Sequence, residues 1–413
     1  LFFKAFLKQI LKMNVLKFNA KHGRFNYIDI NQRKNRMQNQ QALSGARDII
    51  DDIDTQILDL LQQRNAIVQD VIQTKIKKKL PIFVAQREDD KIERFRKAAE
   101  VRGLDAEWAE DFLRMIMSAS RASQSDGNSF PSATKEPKTI LIAGGKGEIG
   151  RLYSRIAEFS GHNVRVLEKN DWDNVEALCA DVDVAIVSVN IYATKQVVVD
   201  LSKYLPKSAI LCDFTSTKDG MLDWMMKHHE GPVVSLHPMH GGDVHNLSKQ
   251  LMLVMPGRDY EKSDWLIKQV ELWGMRIKVV DPEKHDHAMH MIQGLRHYVA
   301  LLHGSFMRAY DLNPEDILDF SSPIYRAELM MTGRIFAQDA RLYADIVFSS
   351  EERREQLKHF FNHHYLITQM VETGDKEGFV KEFESIAEFF GDFADQALKE
   401  SGYLIHRLAD RFS

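Results

Sequence analysis

A chain of 413 residues that is 44% hydrophobic can bury two or three cores, so a single domain is not expected. Its formal net charge of -4 provides no global field to draw in nucleic acid or a membrane surface, and any anion must be held by local basic clusters. The two cysteines, Cys179 and Cys212, lie in apolar runs and read as small buried hydrophobes of a reducing compartment. No apolar run reaches the roughly 18 residues of a membrane helix, and a cytoplasmic protein is expected.

The first 36 residues begin with Leu, are rich in Phe and Lys, and hold no acid before Asp29. They read as a non-native or translated upstream extension, with Met37 as the start; a transit peptide and a disordered basic arm are the alternatives. From Ala46 to about Lys78, Ile50, Ile53, Ile57, Leu60, Leu61, Val68 and Val71 recur at three- and four-residue intervals, which predicts a helix of about 50 Å at 1.5 Å per residue. No small domain covers such a helix alone, so it is expected to pair with another subunit. Arg64 and Lys75 fall within about 20° of one face of it, shared with Ile57, Val68 and Val71, while Arg47 points roughly 100° away. Two cations on an apolar stripe are costly to bury unless an anion meets them, although snorkelling stems with solvated charges explain the spacing equally well.

Pro81 ends this helix, two more follow over 86–102 and 106–124, and the turn-rich segment 125–137 reads as a linker. Beyond it, apolar runs at 139–143, 163–167, 182–189, 209–214 and 233–236 alternate with helical stretches, the pattern of a parallel sheet wound with helices, and 251–255 and 276–280 extend it. The first run leads into Gly145-Lys146-Gly147-Glu148-Ile149-Gly150, a G-x-G-x-x-G turn, and Glu168 ends the next run. Gly145 is expected to permit the tight turn, Gly147 the approach of a pyrophosphate, and Gly150 close packing of helix on strand. Glu168 would take the adenosine ribose hydroxyls and favour NAD over NADP, a preference that Lys169 weakens. A Gly-rich turn of some other wound sheet is the bland alternative.

Ligands of such sheets bind beyond the carboxyl ends of the strands, where His237 follows 233–236 and Thr215-Ser216-Thr217-Lys218 follows 209–214. A histidine there suits proton work near neutral pH, yet a lone one is more often structural. From Pro282 onward strand signals vanish, and the rest reads as helices broken at Asn313-Pro314, Ser322-Pro323 and Gly374. His287 and His290 lie one helical turn apart, but no third ligand is evident and no metal is expected.

Arg47, Asp54, Arg64, Lys75, Pro81, Arg87-Glu88, Ser120 and Gln124 resemble, in order and spacing, the all-helical chorismate mutase domain. The resemblance implies that Arg47 of one subunit and Arg64 of the other grip the two carboxylates of chorismate. It further implies that Lys75 and Gln124 donate to the ether oxygen, Glu88 holds the ring hydroxyl, and Arg87 and Ser120 complete the cage. Val84 stands at a position that is acidic in some members, which leaves the hydroxyl to Glu88 alone. The segment from about Lys138 to the end resembles prephenate dehydrogenase through Asp171-Trp172, Ser188-Val189, Ser216, Lys218, Leu236-His-Pro-Met239, His285-Asp286, Gln293-x-x-Arg296-His297, Ser321-Ser-Pro-Ile-Tyr-Arg326 and Gly333-Arg-Ile-Phe-Ala-Gln338.

By that resemblance His237 draws the proton of the ring hydroxyl of prephenate, Ser216 orients it, Arg296 clamps the side-chain carboxylate, Lys218 adds charge near the second carboxylate, and Ser188 lies in the cofactor loop. Two departures stand out: Asn190 where a proline commonly follows Ser-Val, and His240 where an aromatic follows His-Pro-Met. The order of parts is similar to the bifunctional T-protein family of tyrosine synthesis. It implies a multidomain chain: an extension over 1–37, an all-α mutase domain over 38–126 in a helix-exchanged homodimer, a linker over 127–137, an α/β Rossmann-type NAD domain over 138–281, and an all-α dimerisation domain over 282–413. Tyrosine is then a candidate inhibitor. A sensor that binds nucleotide without turnover, and a hydroxyacid dehydrogenase with a helical appendage, are the rival readings, since fold alone does not fix substrate.

Overall fold

The computed structural model describes residues 16–19, 24–27, 30–81, 83–125, 129–218, 220–244 and 246–412, with side chains from residue 44 onward except 122–125 and 410–412. Two compact units divide between Gln73 and Thr74. In the first, β1 (Leu16–Asn19) pairs antiparallel with β2 (Arg24–Tyr27), and the helix α1 (Ile30–Lys77) begins. It starts well upstream of Ala46, because 30–45 holds four Gln and two Arg, which favour helix without marking an apolar face. Its exposed apolar residues include Ile50, Ile53, Ile57 and Leu60.

In the second unit, Lys75 and Lys77 lie in the last turn of α1, where cations complement the helix dipole, and Lys79 takes a left-handed φ of 51° before Pro81. Helices α2 (Ala85–Glu100) and α3 (Ala106–Ser125) pack through Ile92, Leu113 and Met117, and Glu110 bridges Arg96 and Arg114 across them.

The seven-stranded sheet has the order β4-β3-β5-β6-β7-β8-β9. Its strands are β3 (Thr139–Ala143), β4 (Asn163–Leu167), β5 (Val184–Val187), β6 (Ile210–Asp213), β7 (Val233–Pro238), β8 (Leu251–Pro256) and β9 (Arg276–Val279). Central strands such as Val184-Ala-Ile-Val187 are apolar throughout because both faces are covered. One face packs with Ile140, Ile142, Tyr153 and Trp273; the other packs with Leu141, Val187, Leu201 and Met225. All pairings are parallel except β7 with β8. That exception follows from the connection: none of the described residues of 239–250 is helical, and a return without a crossover reverses the strand.

Helices α4 (Glu148–Phe159), α5 (Val175–Cys179), α6 (Ile191–Ser202), α7 (Met221–His228) and α8 (Asp264–Leu272) lie among the strands. After the sheet, α9 (Pro282–Met289), capped by the Asp281 carboxylate, runs through a π-helical turn at His290–Leu295 into α10 (Arg296–Ala309). The remaining described elements are helices: α11 (Pro314–Asp319), α12 (Pro323–Phe336), α13 (Ala340–Val347), α14 (Glu351–Thr373), α15 (Lys376–Phe390) and α16 (Asp392–Phe412). Asn313 and Ser322 act as N-caps with proline in the first turn, and Gly374 closes α14 at a φ of 68°. No described helix is long and apolar enough to cross a membrane.

Candidate functional site

The nucleotide turn joins β3 to α4, and steric demand explains its glycines. The left-handed residue is Gly144, at a φ of 82°, not Gly145; a Cβ there would meet the Ser188 carbonyl at 2.5 Å. Gly145 needs no such φ but lies against β4, where a Cβ would fall 2.7 Å from the Val166 side chain. A Cβ on Gly150 would collide with the Gly144 carbonyl at 2.3 Å, so glycine is required there by close packing of the helix on the turn rather than on the strand. Gly147 caps α4, whose first residues are Glu148 and Ile149, and Glu168 accepts the Lys146 backbone N–H at 2.7 Å. The carboxylate at the end of β4 thus secures the loop while one oxygen stays available. Ser188 follows β5, beside β3 in the parallel register, and lies half-buried against Gly144. This cradle, which any side chain at Gly144, Gly145 or Gly150 would fill, fits a pyrophosphate at the helix N-terminus.

His237 lies near the end of β7 and is 3% exposed. Its Nδ1 is 2.8 Å from His285 Nε2, and His285 Nδ1 is 2.8 Å from the Asp286 carboxylate. A carboxylate only accepts, so His285 carries its proton on Nδ1 and offers Nε2 as acceptor; His237 then donates from Nδ1 and keeps Nε2 as a free lone pair. Burial first, then the neighbouring positive charge of Lys218, holds the imidazole well below its ordinary value of 6.5. His237 is a neutral base with a fixed tautomer. The resemblance gave the orienting role to Ser216, but that hydroxyl makes no bond to His237; the partner is His285, reached through α9.

Lys218 departs further from expectation. Its side chain is wholly buried, its ammonium lying 2.6 Å from the Asp213 carboxylate and 2.7 Å from the Leu236 carbonyl, so it braces the ends of β6 and β7. Asp213 also receives Thr215 and Ser235. Burial lowers the Lys218 pKa, and Asp213 opposes that shift. The loop after β7 folds over the nucleotide turn, since a Cβ on Gly242 would fall 2.3 Å from that of Glu148. His240 donates from Nδ1 to the Gly241 carbonyl and accepts the Tyr153 hydroxyl at 3.1 Å on Nε2, its ring stacked 6.0 Å from that of Tyr153. Asn190 precedes α6 and accepts the Thr194 hydroxyl on its carbonyl.

Arg296 is exposed at the start of α10, next to buried His297, whose pKa falls to about 4 chiefly through burial. His297 meets Tyr343 edge-on at 4.6 Å, and Arg296 and Arg334 both act on the Tyr343 phenol. Arg334 pairs with Asp243 of the loop that carries His240. Arg334 lies in the last turn of α12, inside the run 333–338, and the sequence alone gives it no role.

Among the mutase candidates, Arg64 is half-buried, and burial lowers its pKa; Arg47 is exposed. Lys75 is also lowered, by burial first and then by Arg87, with Glu88 acting the other way, so these three charges form one cluster. Glu88 accepts Arg121 on Oε1 and forms an ion pair with Lys249 at Oε2, each at 2.6 Å, Oε2 being buried without a hydrogen bond. Ser120 is buried and donates to the Ile116 carbonyl. The Gln124 side chain lies outside the described residues.

Residues 46–125 match the family described as chorismate mutase type II, 156–273 the prephenate dehydrogenase nucleotide-binding domain, and 281–385 the prephenate dehydrogenase dimerization domain. A T-protein of Enterobacter agglomerans is 38% identical over 368 residues, which cover 89% of this chain and 98% of that protein. A T-protein of Haemophilus influenzae is 35% identical over 374 residues, 91% of this chain and 99% of that one. A probable arogenate/prephenate dehydrogenase of Methanocaldococcus jannaschii is 30% identical over 276 residues, 62% of each chain.

Proposed function

The chain belongs to the T-protein family and is a bifunctional enzyme of tyrosine biosynthesis, a chorismate mutase joined to a prephenate dehydrogenase, and on that footing we propose how its residues divide the two reactions. His237 is the base of the second reaction. The observation that carries this assignment is the hydrogen-bonded chain from Asp286 through His285, which leaves Nε2 of His237 unprotonated and facing away from its orienting partner. That nitrogen takes the proton of the prephenate ring hydroxyl. NAD, when bound, supplies the acceptor for the hydride lost from the ring, and departure of the ring carboxylate as carbon dioxide completes the aromatic product, 4-hydroxyphenylpyruvate. Gly145, Gly147, Glu148, Ile149 and Gly150 hold the pyrophosphate, Ser188 lines the cofactor loop, and the free oxygen of Glu168 takes the adenosine ribose and disfavours NADP. Arg296 holds the side-chain carboxylate of the substrate, a task suited to its planar fork of donors.

The first reaction needs no acid, base or cofactor. A compact conformer and donors to the ether oxygen suffice, and Arg47, Arg64, Lys75, Arg87, Ser120 and Gln124 supply them while Glu88 accepts the ring hydroxyl. The working enzyme is a cytoplasmic homodimer. Support comes from the apolar residues that α1 leaves exposed, Ile50 at 55% and Leu60 at 62% among them, which a second copy would cover. Replacing His237 with Asn tests the central assignment. NADH production from prephenate should fall about 10²-fold or more while chorismate is still rearranged; an unchanged dehydrogenase rate would overturn the role of His237.

A further inference from the structure

Glu88 belongs to the helical mutase region, yet one of its two ionic partners comes from the dehydrogenase sheet. Lys249 lies in the connection between β7 and β8. Its Nζ is 2.6 Å from Glu88 Oε2 and 5.0 Å from the centre of the Phe83 ring. The backbone beneath it is pinned: Lys249 takes a left-handed φ of 67°, donates its N–H to the Gly274 carbonyl at 2.9 Å, and accepts Arg276 Nε on its own carbonyl. The starts of β8 and β9 therefore hold this lysine in place, and the Phe83 face steers its ammonium onto Glu88. On the other oxygen, Arg121 of α3 closes the pair at 2.6 Å, with the Glu88 and Arg121 side chains only 18% and 14% exposed.

We propose that Lys249 is a positioning residue of the chorismate mutase, reaching across from the dehydrogenase sheet to hold Glu88 in the orientation that accepts the substrate hydroxyl. The inference rests on the assignment of Glu88 as that acceptor. A carboxylate offers about four lone-pair sites, so two cations can fix its plane and still leave room for a hydroxyl donor.

The test uses the full-length enzyme. Lys249→Ala should lower kcat/KM for chorismate about three- to tenfold, with KM rising as the hydroxyl acceptor loosens, and Lys249→Arg should restore most of the loss. NAD-linked oxidation of prephenate by the same preparations should stay within about twofold of wild type, which certifies the fold. The decisive arm is the cycle with Glu88→Gln: if Lys249 acts through Glu88, Lys249→Ala adds no further loss in that background. Wild-type mutase kinetics in Lys249→Ala, or an equal additional loss on top of Glu88→Gln, would overturn the proposal alone. Glu88→Gln turning over chorismate at the wild-type rate would instead remove the acceptor role on which it stands.

Discussion

Two lysines frame the difference between the sheet and the N-terminal helices. Lys218 is wholly buried, and the fold that buries it also answers it, with Asp213 and a backbone carbonyl fixed by adjacent strands. Lys75 is only half covered, in a cluster where Arg87 repels it and Glu88 attracts it. Arg64, further up the same helix, is likewise half-buried, among residues such as Ile57 and Ile67 that remain 39% and 64% exposed. Burial decides the difference: the sheet closes wholly over its lysine, whereas the helix leaves both of its cations partly exposed.

Breaking the buried pair should produce the largest effect. Asp213→Ala strands the Lys218 ammonium and also takes a partner from Thr215 and Ser235; a loss of about 3–5 kcal/mol in unfolding free energy, read by urea denaturation, is expected. Glu230→Ala, which breaks the exposed pair with Lys207, should leave the denaturation midpoint unchanged, and an equal shift in both variants would dissolve the distinction. Next, Arg64→Ala should cost about 10²-fold in kcat/KM for chorismate and leave denaturation unmoved; a large stability change with little kinetic effect would make Arg64 structural after all. Within the sheet site, Asp286→Asn removes the group that sets the tautomer of His285, and kcat for prephenate should drop about tenfold without loss of NAD affinity.

The smallest effect concerns pH. A base works unprotonated, and burial depresses the His237 pKa, so protonation removes activity only on the acid side. The acid limb of kcat/KM for prephenate should therefore inflect below 6.5 with a plateau above it. An inflection at or above 6.5 would mean that the free enzyme keeps His237 open to water.

The wound sheet and its turn were legible because local chemistry dictates them: apolar strands at regular spacing, then glycines where any Cβ would collide. The helix that carries Arg64 and Lys75 was legible for a similar reason, since apolar residues recur along it at three- and four-residue intervals. The orienting partner of His237 was not. His285 lies 48 residues away, and the contact depends on how α9 returns to the end of β7, which no local pattern encodes. Lys218 misled because a lysine after a strand looks the same in sequence whether it faces a cleft or turns inward to a buried carboxylate. The reversal of β8 and the left-handed Gly144 were missed because strand direction and φ depend on what the neighbouring segment allows.

The antiparallel return after β7 leaves His237 unevenly held. On one side it is registered against Leu253, whereas the parallel pairing with β6 ends two residues earlier, at Asp213 with Ser235. Side chains along a strand alternate between faces, so deleting a single residue within 233–236 would swing the imidazole to the opposite side and bring Pro238 to the cleft in its place. Length changes within 243–248 would leave that alternation intact. The enzyme can therefore remodel the rim of its second active site freely, while the strand that feeds it tolerates no change in count.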